Sequence, residues 1–229
     1  MIKKAMILAA GFGKRLNPLT LHCPKPLLQI GEETLLSNTI NLLVKYEIKE
    51  VVINVHYLSD QIIKYIKKKN FNLTITIVDE KEKILDTGGG ILNALKYFTE
   101  SFICINPDTI WNLNYLKELK KMEKNFFSNK EKCYLLVVDK IKSFDKNIKG
   151  DFNLEKNLIT RKKGDNLKYI YTGLQIINPK IFENVEDKVF SINKLWNQLI
   201  QSKELFALKS NNDFLHVSTL DIYKKLNIK

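Results

Sequence analysis

Arginine is scarce in this 229-residue chain: only Arg15 and Arg161 are arginine, and the other 35 of the 37 basic residues are lysine. Against 25 acidic residues this gives a formal charge of +12, a balance that raises nucleic acid as a partner. Nucleic-acid readers, however, lean on arginine for two-pronged contacts with bases. The lysines here are scattered, apart from short runs such as Lys67-Lys68-Lys69. The charge therefore reads as a lysine-rich surface that concentrates anionic small substrates, not as dedicated nucleic-acid binding. Cysteine is scarce too. Cys23, Cys104 and Cys133 are odd in number and far apart, which excludes a disulfide framework and a CxxC metal site and fits a reducing cytoplasm. Long apolar runs are missing: nothing approaches the roughly 18–20 residues of a membrane span, so no membrane partner is expected. The opening Met-Ile-Lys-Lys and the apolar run Ala5 to Ala10 are too short for a secretory leader and read as a strand. No internal repeat and no hexapeptide extension is evident.

The chain does have an apolar content of 45%, ample for one domain of this size. Strand-like and helix-like segments alternate. Strands are expected at Ala5 to Leu8, Glu50 to Val55, Leu73 to Val78, Phe102 to Ile105 and Tyr134 to Val138. Helices are expected at Leu35 to Tyr46, Asp60 to Lys69, Ile91 to Phe98 and Tyr115 to Phe126. This βαβ order implies a mixed, mostly parallel sheet with helices on both faces. Ligands then sit beyond the carboxyl ends of the strands, where the loops after Leu8, Val78 and Ile105 lie. From about residue 146 the pattern changes. Gly150 to Leu154 and Lys168 to Ile177 read as strands joined by a polar turn over 162–166. Ile192 to Gln201 reads as a helix, Phe206 to Leu208 and Phe214 to Val217 as short strands, and Thr219 to Leu226 as a last helix. The expectation is a single domain, 1–229, with a nucleotide-binding half (about 1–145) and a half that completes the sheet and lids its edge (about 146–229).

Three stretches carry chemistry. After Leu8 come Ala9, Ala10, Gly11 and Gly13, then Lys14-Arg15. A strand opening into a small, cationic, glycine-bearing loop suits a polyphosphate, because glycine lets backbone N–H groups approach an anion. It is neither a Walker A loop nor a full dinucleotide fingerprint, and alone it also reads as a tight turn. Pro24-Lys25-Pro26 holds a lysine on a stiff segment, and alone it reads equally as a lysine projected into a defined place or as a solvated loop lysine. Gly88-Gly89-Gly90 reads either as a turn before a helix or as room for a base whose edge the backbone reads; its place at the ligand edge favours the base. Asp86 beside it is equally a turn residue or a ligand contact. His56, after a buried strand, reads as a strand-end residue with a local hydrogen bond, Asn178-Pro179 as a turn, and Trp196 as core or lid packing.

Together these motifs resemble those of sugar-1-phosphate nucleotidylyltransferases. The resemblance runs through Leu8-Ala9-Ala10-Gly11-x-Gly13-x-Arg15-Leu16, Pro18-Leu19-Thr20 and Pro24-Lys25-Pro26-Leu27. It continues through Asn54-Val55-His56-Tyr57-Leu58, Leu85 to Ile91, Asn106-Pro107-Asp108 and Tyr171-Thr172-Gly173, and so covers nearly the whole chain in order. Within the family these stretches are similar to the bacterial subgroup that includes N-acetylmuramate α-1-phosphate uridylyltransferases. The resemblance implies a Rossmann-like three-layer α/β/α (GT-A-like) fold. It implies attack of a sugar 1-phosphate on the α-phosphorus of a nucleoside triphosphate, with Mg²⁺ as cofactor and no general base. Leu8, Ala9, Ala10, Gly11, Gly13, Asn54, Gly88 and Gly89 would hold the nucleotide. Arg15, Lys25 and Asp108 would be catalytic, and Lys25, Asp108, Gly150, Thr172 and Gly173 would meet the sugar phosphate. The implied substrates are UTP and N-acetylmuramate 1-phosphate, in cell-wall sugar recycling. Guanylyl or other nucleotidyl transfer to a hexose or heptose 1-phosphate is the alternative, and a catalytically weakened nucleotide-sugar-binding protein is the alternative of another class. The expected assembly is a monomer or small homo-oligomer.

One departure stands out. Where relatives carry a second Mg²⁺ aspartate, this chain has Phe214-Leu215-His216-Val217-Ser218-Thr219. Asp108 is the implied metal ligand, and His216 a soft stand-in for the second. Three arrangements stay open: Asp108 and the substrate phosphates hold the metal, His216 contacts phosphate, or turnover is impaired. Ser218 and Asp221, three apart, read as a helix-capping pair.

Overall fold

Lys4–Leu8 (β1) divides its alternate side chains between two cores: Ala5 and Ile7 face one side, Met6 the other. That period of two, repeated along neighbouring strands, makes a sheet buried on both faces. The computed structural model describes residues 1–162, 164 and 166–228. After β1 a small hairpin, Gln29–Ile30 (β2) and Glu33–Thr34 (β3), leads into Leu35–Lys45 (α1). The Thr34 side chain caps α1 by accepting from Ser37 N–H, a contact worth about 1 kcal/mol. Glu50–Val55 (β4), Ser59–Lys68 (α2), Thr74–Asp79 (β5), Asp86–Ala94 (α3) and Phe102–Ile105 (β6) follow. Then come Tyr115–Ser128 (α4), Cys133–Asp139 (β7), Asn153–Glu155 (β8), Leu158–Thr160 (β9) and Tyr169–Ile177 (β10). Asn193–Gln201 (α5), Leu205–Ser210 (β11) and Leu220–Asn227 (α6) complete the chain.

Nine strands form one sheet in the order β5-β4-β1-β6-β10-β7-β11-β9-β8. Seven point the same way and only β10 and β9 run against them, so the sheet is mixed and mostly parallel, as expected. The apolar faces of α1, α2 and α4 cover one side (Leu36, Ile40, Ile62, Leu119, Met122). Those of α3 and α5 cover the other (Ile91, Ala94, Leu195, Trp196, Leu199). Among the described residues no helix is long and apolar enough to cross a membrane.

The structure corrects several elements. The three glycines are not in a loop: α3 begins at Asp86 and contains Gly88, Gly89 and Gly90. Glycine is a poor helix former, but here tertiary packing decides the conformation, as shown below. The strand expected over 150–154 is confined to Asn153–Glu155, and an unexpected strand, β9, pairs with it across a tight turn at Lys156, which has φ 57°. The polar turn expected over 162–166 includes Lys163 and Asp165, which lie outside the described residues. Phe214 to Val217 makes only isolated bridges, Phe214 with Ser143 and His216 with Thr109. The cap of α6 is Thr219, whose side chain accepts from Ile222 N–H. Ser218 does not cap, because its hydroxyl donates to the buried Asp145 carboxylate at 2.6 Å.

Candidate active site

The carboxyl ends of β1, β4 and β5 are tied together by two side chains. Asn54 Oδ1 accepts from Ala9 N–H at 3.0 Å, and Asn54 Nδ2 donates to Glu80 Oε1 at 2.6 Å. The other Glu80 oxygen accepts from Leu85 N–H at 2.8 Å, just before α3. Both side chains are buried, so each polar atom must find a partner inside the protein. The loop that leaves β1 is thereby fixed against α3, and its residues 9–11 and 13–16 border a cleft of about 350 Å³.

Gly13 has φ 67°, and an added Cβ would lie 3.0 Å from Thr20 and 3.1 Å from Lys25. The left-handed turn and the close packing both require glycine. Gly11, by contrast, has open space where a Cβ would stand and faces the cleft. Leu8, Ala9, Ala10, Gly11, Gly13, Arg15, Lys25, Asn54 and Asp108 all line it. Arg15 is exposed and makes no ion pair among the described residues, so its guanidinium is open to an anion.

Asp108 sits on the loop after β6, which is braced from three directions. Asn106 N–H donates to Gly173 O at 2.7 Å, Thr109 Oγ1 to Thr172 O at 2.8 Å, and Val217 N–H to Asp108 O at 2.8 Å. The last bond and the Thr109–His216 bridge carry His216 to the site from the far end of the chain. Lys25 Nζ lies 2.6 Å from Asp108 Oδ2, and His216 Nε2 lies 3.1 Å from the same oxygen. Their side chains are only 14%, 20% and 15% exposed for Lys25, Asp108 and His216, so water screens the attraction weakly. Burial alone would raise the Asp108 carboxyl, but Lys25 and His216 outweigh it and hold the group well below the usual carboxylate range.

In the folded chain His216 turns its Nε2 to the Asp108 carboxylate, and its Nδ1 is buried without a hydrogen-bond partner among the described residues. Asp108 Oδ1 takes part in no hydrogen bond among the described residues. One free carboxylate oxygen fits a hard cation such as Mg²⁺ held mainly by substrate oxygens and water, and imidazole does not belong in that set.

The glycines after Leu85 are corrected too. Gly88 and Gly89 donate their N–H groups to Phe190 O at 2.9 and 3.0 Å. An added Cβ at Gly88 would collide with the Phe190 ring, and one at Gly89 with the Lys188 carbonyl. At Gly90 it would come within 2.7 Å of Asn54 Nδ2 and 2.8 Å of Glu80 Oε1. They are glycine so that α3 can lie against the 188–190 segment and the Asn54–Glu80 pair. Gly88 and Gly89 are buried and do not line the cleft; Ile84, Asp86 and Thr87 do.

A second cavity of about 220 Å³ adjoins the first and shares Leu8, Asp86, Thr87 and Asn106 with it. Its further lining is Asp151, Phe152, Tyr171, Gln175, Ser191, Ile192, Asn193 and Trp196. Gly150, Thr172 and Gly173 are not among them. Thr172 is buried and donates to Leu136 O at 2.9 Å. Gly173, at φ 90°, lets β10 bulge against Asn106, where a Cβ would lie 2.9 Å from Asn106 Cβ. Gly150 permits close approach of the Leu167 carbonyl. These three shape the wall from behind. Their neighbours Asp151, Tyr171 and Gln175 face the cavity, a distinction that sequence pattern leaves open because it turns on which way each side chain points. Tyr171 OH is buried with no hydrogen-bond partner among the described residues. Trp196 is both core and wall, its Nε1 donating to Gln175 Oε1 at 3.2 Å. Burial raises the Asp151 carboxyl, an effect eased by the Tyr171 N–H it accepts and by Arg161 and His216 nearby.

Comparison with known proteins adds to this geometry. The nucleotidyl transferase family model matches residues 4–143. The chain is 28% identical over 221 residues to the N-acetylmuramate alpha-1-phosphate uridylyltransferase of Caulobacter vibrioides, covering 94% of this chain and 91% of that protein. It is 29% identical over 213 residues to the mannose-1-phosphate guanylyltransferase catalytic subunit beta of Drosophila melanogaster, covering 90% of this chain but 56% of that relative's length. The crystal structure of HddC from Yersinia pseudotuberculosis complexed with GMP-PN superposes with a TM-score of 0.76 at 25% identity, over 99% of both chains.

Proposed function

The chain belongs to the nucleotidyl transferase family, and from that premise we propose that it joins UTP to N-acetylmuramate 1-phosphate, releasing pyrophosphate. The coarser activity, sugar-1-phosphate nucleotidylyl transfer, is common to the relatives named above. The observation that carries the reading is the pair of adjoining cavities, which share Asn106, two residues before the Lys25–Asp108–His216 cluster. Such a pair accommodates two substrates with their phosphates meeting at one charged point. The uridylyl choice is supported by similarity along nearly the full length of the Caulobacter enzyme. Guanylyl transfer is the second reading, supported by the guanylyltransferase similarity and the GMP-PN complex.

The chemistry asked of the residues is positioning and charge neutralisation. An oxygen of the sugar phosphate attacks the α-phosphorus in line, a P–O bond forms, and the bond to pyrophosphate breaks. The nucleophile is already an anion, so no side chain need remove a proton. Gly11 leaves space for the triphosphate, Gly13 allows the left-handed turn of the loop, and Arg15 offers at the cleft a cation with no ion pair among the described residues. Lys25 lies at the junction and stabilises charge as it develops on the α-phosphate. Asp108 orients Lys25, and His216 Nε2 packs against the same carboxylate oxygen. Mg²⁺, when bound at Asp108, would neutralise phosphate charge and the leaving pyrophosphate. Pyrophosphate release from a panel of triphosphates and sugar 1-phosphates tests the proposal. UTP with N-acetylmuramate 1-phosphate should give the highest kcat/KM; preference for GTP with a hexose 1-phosphate would replace it with the second reading.

A further inference from the structure

Gln175 is only 1% exposed, yet it lies on the wall of the second cavity. Its amide interrupts an apolar run, Leu174 to Ile177, where an aliphatic side chain would pack at no polar cost. The orientation of that amide is fixed. Trp196 Nε1, which can only donate, lies 3.2 Å from Oε1, and the Cys133 thiol donates to the same oxygen at 3.5 Å. The oxygen must face these two donors, so Nε2 takes the opposite branch of the amide. Nε2 makes no hydrogen bond among the described residues. A buried NH₂ without an acceptor costs free energy, and an occupant of the cavity that brings an oxygen removes that cost.

Asn193, the amide at the start of α5 on the same wall, is already engaged. Its Oδ1 accepts from Arg161 Nη1 at 3.0 Å, and its Nδ2 donates to Ser191 Oγ at 3.3 Å. Arg161 Nη2 donates in turn to Asn197 Oδ1. Asn106 is less buried and is shared with the first cavity. The rest of the wall shows what would carry the missing oxygen. Phe152 and Tyr171 pack edge-on to Trp196, with ring centres 5.8 and 4.8 Å away, and make an apolar surface. Asp151 Oδ2 accepts from Tyr171 N–H at 2.8 Å, and Oδ1 makes no hydrogen bond among the described residues. An acetamido group asks for these three things: a donor for its carbonyl, an acceptor for its N–H and an apolar face for its methyl. A hydroxyl would use only the polar pair.

We propose that Gln175 sets specificity at the second cavity: its Nε2, turned away from Trp196, donates to the carbonyl of an acetamido group on the sugar 1-phosphate. The inference rests on the sugar-1-phosphate reading above and adds a residue and an acetamido requirement to it. The alternative is a purely structural amide that holds Trp196 and Cys133.

The test compares matched sugars by calorimetry on the full-length protein, with a non-hydrolysable analogue of UTP or of GTP present. One pair is N-acetylglucosamine 1-phosphate and glucose 1-phosphate; the other is N-acetylgalactosamine 1-phosphate and galactose 1-phosphate. The wild type should bind the acetamido member of each pair more tightly. Gln175→Met should raise Kd for that member about 20-fold. It should change Kd for the hydroxyl member by no more than about threefold, with nucleotide binding unaltered. An equal loss for both members, binding of neither, or no acetamido preference in the wild type would overturn the proposal, since a structural amide acts on both sugars alike. Should Gln175→Met fail to fold, Gln175→Glu, which keeps an oxygen for Trp196 but not the amide N–H groups, decides by the same ratio. Pyrophosphate release only with GTP, or none with N-acetylmuramate 1-phosphate, would refute the substrate assignment alone, because the ratio of Kd values still reads Gln175.

Discussion

In the half of the sheet built from β5, β4, β1 and β6, every strand runs parallel and the site residues follow strand ends within a few positions. Ala9 and Gly11 follow β1, Asn54 closes β4, Glu80 follows β5, and Asp108 follows β6. In the half built from β10, β7, β11, β9 and β8 the directions mix. The cavity wall there is assembled from β10, the start of α5 and the segment before β8. Parallel strands put all their carboxyl ends on one edge, so short contiguous motifs become one site. Mixed strands do not, and the site is built from side chains far apart in sequence, each at the mercy of which face it points to.

Breaking the junction between the halves has the largest expected effect. Lys25→Ala removes the cation 2.6 Å from Asp108 and should lower kcat for pyrophosphate release by about 10³, while UTP still binds in calorimetry. Retention of near-normal kcat would separate Lys25 from the chemistry and leave it an orienting residue.

Two glycines on the nucleotide side sharpen the contrast between open and filled space. Gly89→Ala pushes a Cβ into the Lys188 carbonyl and should destabilise the fold by about 1–3 kcal/mol in urea unfolding. Gly11→Ala meets nothing within 4 Å; it should shift stability by less than about 0.5 kcal/mol and act on the KM for UTP instead. Equal destabilisation by both would mean that the glycine helix is not held by close approach to the 188–190 segment.

Asp151→Asn probes the sugar side. Burial holds the Asp151 carboxyl above its ordinary value, so the folded protein binds that proton more tightly than the unfolded chain. The ionised group therefore costs stability at neutral pH, and the cost fades as pH falls through the folded pKa toward about 4. The variant should melt slightly higher than wild type at pH 7, with the difference vanishing in acid, and should lose sugar transfer while keeping UTP binding. A pH-independent difference would exclude the carboxyl as its source.

The smallest effect is expected at Thr219→Ala, which removes the cap of α6 and should cost about 1 kcal/mol without changing KM for either substrate. A change in kcat would show that α6 holds the neighbouring His216 segment in register.

The parallel half was legible because its signals are local. Buried strands read as β-branched apolar runs, and the loop after Leu8 had to be small and cationic whatever surrounded it. Lys25 was legible on its stiff Pro-Lys-Pro segment and Asp108 on the loop after a buried strand, their roles only through the family resemblance. The glycine triplet misled, because three glycines in a row favour a loop by propensity, and only the Phe190 ring, the Lys188 carbonyl and the Asn54–Glu80 pair make them helical. Likewise Gly150, Thr172 and Gly173 carried the motif while Asp151, Tyr171 and Gln175 carry the wall. Glu80 gave a faint signal, an acid directly after an apolar strand; Asn106 stood in a quoted motif with no role of its own, and Asn193 gave none.

The order of strands and helices, the edge at which ligands gather and the identity of the cationic loop are written in the chain itself, since each depends on periodicity and on residues a few positions apart. The pairing of Lys25 and His216 on one oxygen of Asp108, the burial of the glycines and the seating of Arg161 between two asparagines were decided only by the folded structure. They depend on contacts across tens of residues or more and on side-chain direction, which no local pattern specifies.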